Sequence, residues 1–290
     1  MVSIKFRDTC TQCGTCVATC PAAVFVQKNG QGVPEVVRKA SCIACGHCAA
    51  VCPVDAVDHS KFPEGTLLPI NRTAIPSCEQ TMELLRSRRS VRVFSDKPVQ
   101  REELVEILEA ARMAPTAHNL QDVHYVVVQE RATLDAITKI VVRYFSAIAK
   151  QLRNPLSRRL YRLALTKTEL NGIIAMLPDF DILAEKYAAG HDPILRGAPC
   201  LILAHSVRSA NFTETNAALA LHNAALLAHS MGIGSFWTGY VVGACKRSRA
   251  IPDLLDIPQN HSVYAGLALG HTGVDYPKWI QRKPVEVVWR

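Results

Sequence analysis

The chain has 290 residues, of which 49% are hydrophobic and 20% are charged, and these proportions exclude a disordered or fibrous protein. No apolar run is long enough to span a bilayer, and the segment MVSIKFRDTC at residues 1–10 lacks the apolar core of a signal peptide, so we expect a soluble, cytoplasmic protein. The formal net charge of +8 divides into +1 over residues 1–60 and +7 over residues 61–290, which raises the question of an anionic partner.

Eight of the eleven cysteines lie within the first 52 residues, in two runs of equal spacing. Residues 8–21 read DTCTQCGTCVATCP and residues 40–53 read ASCIACGHCAAVCP, so the second run repeats the first at an offset of 32. Zinc sites commonly pair two distant CxxC units, and zinc is the alternative here. Three cysteines at i, i+3 and i+6, with a fourth at i+10 before a proline, are typical of bacterial ferredoxins, in which the fourth cysteine of each run binds the other cluster.

Residues 1–58 therefore resemble a two-cluster bacterial ferredoxin. The segment VFVQKNGQGVPEVV between the runs predicts two short strands around a Gly/Asn turn. We expect the scattered cysteines, Cys78, Cys200 and Cys245, to be buried or free thiols. The resemblance implies two [4Fe-4S] clusters, one bound by Cys10, Cys13, Cys16 and Cys52 and the other by Cys20, Cys42, Cys45 and Cys48.

Residues 59–80 contain three prolines and little periodicity, and we predict a linker there. From residue 81 onward, predicted helices and strands alternate up to residue 290. The helices are too long and too many for a simple doubly wound sheet. The predicted helices are TMELLRSRRS, REELVEILEAARMA, TLDAITKIVVRYFSAIAKQLR and NAALALHNAALLAHSMG, and the predicted strands are VHYVVVQE, APCLILAHS and SVYAGLALGH.

Three separated stretches carry polar groups suited to a cofactor. RSRRSVRVFSDKPV, at residues 86–99, offers guanidinium groups and a hydroxyl for a phosphate, although a solvated basic turn fits it equally well. APTAHNLQDVHYVVV, at residues 114–128, offers polar groups that could bond a planar heterocycle or simply cap a turn. MGIGSFWTGYV, at residues 231–241, imitates a dinucleotide fingerprint but follows a predicted helix, so that interpretation fails.

In this order, the three stretches resemble motifs of the FMN-dependent nitroreductase family. The segment LGHTGVDYPKWIQRKPVEVV, at residues 269–288, agrees with the family's C-terminal pattern, and the resemblance covers residues 81–290. Asp122 and Val123 depart from it, because the family usually has proline and tryptophan there. The resemblance implies an α+β fold with a central antiparallel sheet flanked by helices, built as an intertwined homodimer with FMN at the interface.

The resemblance also implies roles for individual residues. The basic residues near position 90, together with one near the C-terminus, would hold the ribityl phosphate. The 115–119 turn would approach the isoalloxazine from the other subunit, and the 238–239 backbone would donate near N5 and O4. No side-chain catalytic base is assigned, and His118 is either a proton donor or a hydrogen-bonded structural residue. The implied FMN contacts are Arg88, Arg89, Ser90, Arg92, Pro115, Thr116, Asn119, Thr238, Gly239 and Arg282.

Two segments leave alternatives open. The apolar helix predicted at residues 216–231 fits either a dimer seam or the core of a single chain. The basic segment at residues 141–163 fits a solvated helix face, a surface for a membrane or acidic partner, or a lid over the substrate. Two anionic clusters and a flavin phosphate would neutralise most of the +8 charge, so no nucleic-acid partner is predicted.

These observations predict an oxidoreductase that passes electrons through two [4Fe-4S] clusters to FMN and on to a small oxidised acceptor, such as a nitro compound, a quinone or an activated alkene. The electron donor is either a low-potential protein of the ferredoxin type or NAD(P)H. The alternative is an electron-transfer or redox-sensing module that docks a protein partner and has no small substrate of its own. Flavin fragmentation, an oxidative activity within the same family, is disfavoured beside oxygen-labile clusters.

Overall fold

A computed structural model describes residues 2–208 and 211–290, with only the backbone at residue 164. The chain forms two compact units. Unit 1 runs to Pro76 and also takes in Thr116–Leu120, and unit 2 comprises Ser77–Pro115 and Gln121–Arg290. Most of the predicted linker therefore belongs to unit 1, and five residues of the predicted second domain join that unit as well.

The elements are named here in chain order. Unit 1 contains β1 (Ile4–Phe6), α1 (Thr15–Ala18), β2 (Phe25–Val26), β3 (Glu35–Val36), α2 (His47–Ala50) and β4 (Val57–His59). Unit 2 contains α3 (Cys78–Ser87), α4 (Arg101–Arg112), β5 (His124–Val128), α5 (Arg131–Arg153), α6 (Pro155–Ala164), α7 (Lys167–Ala175), α8 (Leu177–Ala188), β6 (Cys200–Val207), α9 (Thr213–Ser230), β7 (Ile233–Trp237), α10 (Gly239–Cys245), α11 (Ala250–Leu254) and β8 (His261–His271).

Unit 1 repeats one small motif twice. Each short helix follows a glycine in the left-handed conformation, Gly14 at φ 71° before α1 and Gly46 at φ 75° before α2. Strand β1 pairs with β4 and β2 pairs with β3, both antiparallel. The β2–β3 pair confirms the two short strands predicted around the Gly/Asn turn. The core of the unit is small, and it includes Ile4, Val24, Phe25, Ala49 and Val57.

Unit 2 is built around a four-stranded antiparallel sheet in the order β5-β6-β8-β7. Alternate residues of β6 face opposite sides: Cys200 and Ile202 belong to the core under α4 and α9, whereas Leu201 and Leu203 belong to the core under α5, α8 and α10. The predicted α+β fold with a central antiparallel sheet flanked by helices is confirmed.

Two helices differ in detail from the predicted pattern. Helix α3 begins at Cys78 because Ser77 and Gln80 form a capping box, with the Ser77 hydroxyl accepting from the Gln80 N–H at 3.2 Å. Helix α9 buries an alanine-rich face against the sheet, while Leu219 on its outer side stays 40% exposed. The chain itself therefore supplies a core for one face of α9, and a dimer seam on the other face stays a prediction.

None of the helices in the described part of the chain is both long enough and apolar enough to cross a membrane.

Candidate functional site

Four cysteines of unit 1 surround one small cavity. Cys20, Cys42, Cys45 and Cys48 all line it, so the last cysteine of the first run lies with three cysteines of the second. The pKa of Cys48 is raised to about 11, mainly by burial and in smaller part by charge repulsion from the neighbouring thiols Cys42, Cys45 and Cys20. A bound metal would reverse that effect, because thiolate is the form that coordinates. This grouping is the one that crossed ligation requires.

For the other four cysteines, the structure shows only part of the corresponding grouping. Cys10 and Cys13 lie close enough to Cys16 to raise the pKa of its thiol, after the larger effect of burial. The sulfur of Cys52 accepts the Ala56 N–H at 3.2 Å, just as the sulfur of Cys20 accepts the Val24 N–H at 3.3 Å. Ligation of a first cluster by these four residues stays a prediction.

The cysteines are not spaced as the ligands of one ion would be. Among residues 2–208 and 211–290, no three His, Cys, Asp or Glu side chains converge closely enough to hold a single metal ion. Zinc draws its four ligands to a single point, whereas a cuboidal cluster is larger and holds its sulfur ligands further apart. The four cysteines that line the cavity are the number of thiolates that one cuboidal cluster takes.

In unit 2, the basic segment at residues 88–92 runs beside strand β7. Ser90 forms a bridge with Ser235, and the Val91 N–H donates to the Ser235 carbonyl at 3.0 Å. A Cβ at Gly234 would lie 2.7 Å from Val91, so this close approach requires glycine. Gly234 of the 231–241 stretch thus serves packing against the basic segment and not the binding of a dinucleotide.

A cavity of about 600 Å³ opens beside this segment, in unit 2. Arg92, Thr238 and Gly239, three of the predicted FMN contacts, line it together. Its wall is aromatic and its rim is cationic, which suits a planar ligand with an anionic end. The aromatic residues are Tyr144, Phe145, Phe180, Phe236, Trp237 and Tyr240, and the further cations are Arg196, Lys246 and Arg247.

Thr238 presents a polar group that the protein itself does not satisfy. Its side chain is 3% exposed, and its hydroxyl has no hydrogen-bond partner among the residues that the structure describes. Its backbone N–H donates to the Gly266 carbonyl at 2.9 Å and is engaged in the fold. A Cβ at Gly266 would lie 2.3 Å from the Thr238 hydroxyl, so the hydroxyl packs against strand β8 and is closed to a ligand. Contact of Thr238 with FMN stays a prediction. At Gly239 an added Cβ would meet no atom within 4 Å, so the backbone there is open to close approach.

The remaining predicted contacts lie elsewhere. Arg88 and Arg89 are half-buried at the end of α3, where the charge of Arg88 lowers the pKa of His229 after the larger effect of burial. Pro115 is exposed after α4, and Arg282 is exposed in the C-terminal segment. Thr116 and Asn119 belong to unit 1. Contact of these residues with FMN stays a prediction.

Asp122 and Val123, the departures from the family pattern, have structural partners. The Asp122 carboxylate accepts from the Ser206 hydroxyl at 3.0 Å and from the Asn216 amide at 3.1 Å, joining β6 to α9. Val123 packs against the core under α4 and α9. The presence of Asp122 and Val123 in place of the family's proline and tryptophan therefore affects the packing of α9 on the sheet.

The sequence interpretation missed the aromatic wall and three of the four cations. They come from α5, α8, β7, α10, the turn before β6 and the segment after α10, which are far apart along the chain. No local spacing brings them together. Two stretches carried a signal in the sequence. The aromatic and basic 141–163 segment faces the cavity through Tyr144 and Phe145, and the 231–241 stretch contains Phe236, Trp237 and Tyr240.

Comparison with known proteins matches both units. The sequence model of the nitroreductase family covers residues 85–271, and that of a 4Fe-4S dicluster domain covers residues 9–57. A protein from Archaeoglobus fulgidus, named as a candidate NADH dehydrogenase/NAD(P)H nitroreductase, is 28% identical over 200 residues, covering 69% of this chain and 87% of that protein. An FMN reductase (NAD(P)H) from Bacillus subtilis is 24% identical over 192 residues, or 66% of each chain.

Solved structures share the fold. A nitroreductase with bound FMN from Desulfitobacterium hafniense superposes with a TM-score of 0.54 at 20% identity, over 72% of this chain and 98% of that one. A second nitroreductase with bound FMN, from Bacteroides fragilis, gives a TM-score of 0.53 at 23% identity, with the same coverage.

Proposed function

The chain belongs to the nitroreductase family, and we propose that it is an iron–sulfur flavoprotein oxidoreductase that passes electrons through two [4Fe-4S] clusters to FMN. The final acceptor is a small oxidised molecule, such as a nitro compound, a quinone or an activated alkene. The donor is a low-potential protein of the ferredoxin type or NAD(P)H. The observation that carries the proposal is the cavity where Arg92, Thr238 and Gly239 meet an aromatic wall and a cationic rim.

The residues of this cavity fit FMN on chemical grounds. When bound, FMN would supply hydride chemistry and the clusters would supply single electrons. Arg92 and the other rim cations would bind and orient the anionic end, while the aromatic side chains would exclude water from the ring.

We further propose that the protein works as a homodimer. The C-terminal segment after β8 is extended, and several of its apolar side chains have no cover within their own chain. Val285 is 84% exposed, Val288 81% and Trp289 90%. Large apolar side chains exposed in this number mark an interaction surface, and a second copy of the chain would cover them.

The test is anaerobic purification followed by cofactor analysis and turnover. The proposal predicts about eight iron and eight sulfide per chain, one FMN, and reduction of at least one acceptor class with reduced ferredoxin or NADPH as donor. Arg92→Ala should lower FMN content, whereas Arg101→Ala, an exposed substitution on α4, serves as the matched control. A protein that retains no FMN and reduces no acceptor would refute the proposal.

A second candidate function is favoured by helix α6. Leu156, Leu160 and Leu163 are 77%, 68% and 86% exposed, although apolar residues at this spacing normally face the core. The helix contacts the preceding α5 through polar groups, with the Tyr161 hydroxyl donating to the Gln151 side chain at 2.5 Å. Arg159 is exposed beside the leucines. This face would dock an acidic electron-carrier protein.

Binding of such a carrier should weaken at high salt, because the arginine contribution is screened. Leu160→Ser should weaken binding at every salt concentration, and Val105→Ser, at a similarly exposed apolar position on α4, is the control. If the carrier binds the unsubstituted protein, Leu160→Ser and Val105→Ser equally well, α6 is excluded as a docking face.

A further inference from the structure

The two cysteine loops of unit 1 can be compared residue by residue, because the second repeats the spacing of the first at an offset of 32 residues. Gln12 in the first loop corresponds to Ala44 in the second, and both have positive φ, 59° and 50°. The carbonyl of each residue is therefore not paired within regular secondary structure, and it needs a separate hydrogen-bond donor. A side-chain amide supplies that donor in both loops.

The source of the amide differs. In the first loop, the Gln27 Nε2 donates to the Gln12 carbonyl at 2.9 Å, from within the same half of the repeat. In the second loop, the Asn119 Nδ2 donates to the Ala44 carbonyl at 2.7 Å and to the Ile43 carbonyl at 3.3 Å. Asn119 comes from Thr116–Leu120, the segment of unit 1 that lies between α4 and β5 in the chain.

Because Asn119 takes over this contact, the position equivalent to Gln27 is free for another use. That position is His59, which is 4% exposed. Its Nδ1 lies 3.1 Å from the Lys61 N–H and must accept from it, so the ring proton resides on Nε2. Nε2 lies 3.5 Å from the Cys42 sulfur, and His59 therefore donates an N–H···S hydrogen bond to that cysteine.

The ring of His59 is held in place on its other side. Phe62 packs against it with ring centroids 4.9 Å apart, and a Cβ at Gly46 would lie 3.1 Å from the Phe62 ring. His59, Phe62 and the second cysteine loop thus form one packed group, and the imidazole has little freedom to leave the sulfur.

The hydrogen bonds to sulfur are therefore unequal in the two halves. The equivalent bonds from Val24 to Cys20 and from Ala56 to Cys52 match within 0.1 Å. Cys42 additionally receives the His59 imidazole and the Ala44 N–H, the latter at 3.4 Å. The equivalent of Cys42 in the first half is Cys10, whereas Cys13, the equivalent of Cys45, is exposed and shares a 3.3 Å contact with the Thr15 hydroxyl.

We propose that this asymmetry gives the cluster of Cys20, Cys42, Cys45 and Cys48 the higher reduction potential, with His59 as its tuning residue and Asn119 as a positioning residue of its loop. The inference rests on the proposed function. A reduced cluster carries one more negative charge, and an N–H donor at its sulfur stabilises that charge. One electron then moves from the reduced first cluster to the oxidised second cluster, with no proton or bond exchanged.

The test is an anaerobic redox titration of the full chain, followed by electron paramagnetic resonance. Cys45→Ser identifies the signal of the second cluster. His59→Leu should lower its midpoint potential, so that the equilibrium constant for electron transfer between the clusters falls about tenfold, equivalent to about 59 mV. His59→Gln keeps an N–H donor and should restore most of the difference.

Asn119 and Gln27 provide matched substitutions. Asn119→Ala should shift the potential and speed chelator removal of the second cluster alone, whereas Gln27→Ala should do so for the first cluster alone. Asn119→Gln should rescue the effect. An unchanged midpoint potential in His59→Leu, with two clusters present by iron and sulfide analysis, would overturn this inference and leave the proposed function intact. Absence of two clusters would overturn both.

Discussion

Thr238 should oppose the stability of the FMN-free protein without contributing its hydroxyl to FMN binding. Its buried hydroxyl has no partner among the described residues, and such a group costs about 1–3 kcal/mol of stability. Valine has nearly the same shape without the hydroxyl. We therefore expect Thr238→Val to raise the unfolding free energy of unit 2 by about 1 kcal/mol when FMN is removed.

The same substitution should leave FMN affinity unchanged, because the hydroxyl packs against Gly266, where an added Cβ would lie 2.3 Å from it, and is closed to a ligand. Loss of one hydrogen bond to FMN would instead raise the Kd about fivefold, since a typical net hydrogen bond contributes about 1 kcal/mol. Urea unfolding, followed by tryptophan fluorescence, measures the first effect in unit 2, since the tryptophans lie at 237, 279 and 289. Flavin fluorescence quenching measures the second.

Thr138 supplies the matched control. It is 2% exposed, but its hydroxyl donates to the Asp192 carboxylate at 3.1 Å. Thr138→Val should therefore destabilise the protein by about 1–3 kcal/mol and leave FMN affinity unchanged. The prediction is wrong if Thr238→Val destabilises the FMN-free protein as Thr138→Val does, or if it raises the Kd for FMN about fivefold.

Three further predictions concern the two units separately. Cys20→Ser should remove the second cluster and retain the first, leaving about half the iron; loss of the cluster bound by the first run instead would contradict crossed ligation. Gly234→Ala would place a Cβ 2.7 Å from Val91, so it should cost about 1–3 kcal/mol of stability and lower FMN content, both absent in Gly172→Ala, where the added Cβ meets no atom within 4 Å. Burial, with repulsion from His261 and His124, lowers the pKa of His205 to about 4, whereas the unfolded chain titrates near its ordinary value of 6.5. The unfolded state therefore binds the extra proton, and stability should fall by up to about 3 kcal/mol as pH drops from 6.5 to 4; His205→Gln should flatten that slope, and an unchanged slope would show that other groups dominate.

The cysteine runs were readable from the sequence because their chemistry is local. Ligands at i, i+3 and i+6 must lie on one turning loop, and the repeat at an offset of 32 implies a second loop of the same shape. The long predicted strands and helices were also found, as β6 and α5 illustrate, since each carries its hydrophobic pattern within itself.

The features that escaped prediction depend on distant pairing. Strand β7 has five residues after a helix, and its identity comes from its antiparallel register with β8, where Ile233 faces His271. The Thr238 N–H likewise donates to the Gly266 carbonyl of β8, and the Thr238 hydroxyl is buried. Neither feature is indicated by the local sequence. The nitroreductase pattern could not predict the hydrogen bond from the Asn119 amide to the Ala44 carbonyl. Ala44 lies in a cysteine loop, and that loop is not part of the nitroreductase motifs.

The central claim is that electrons entering the clusters reach FMN within the same protein. Anaerobic stopped-flow mixing of the complete protein with a reduced low-potential carrier tests it, with cluster and flavin absorbance recorded together. The account predicts that the clusters are reduced first, and that flavin absorbance then bleaches at a rate at least equal to turnover with an acceptor. Clusters that stay reduced beside oxidised FMN for longer than one turnover would contradict it.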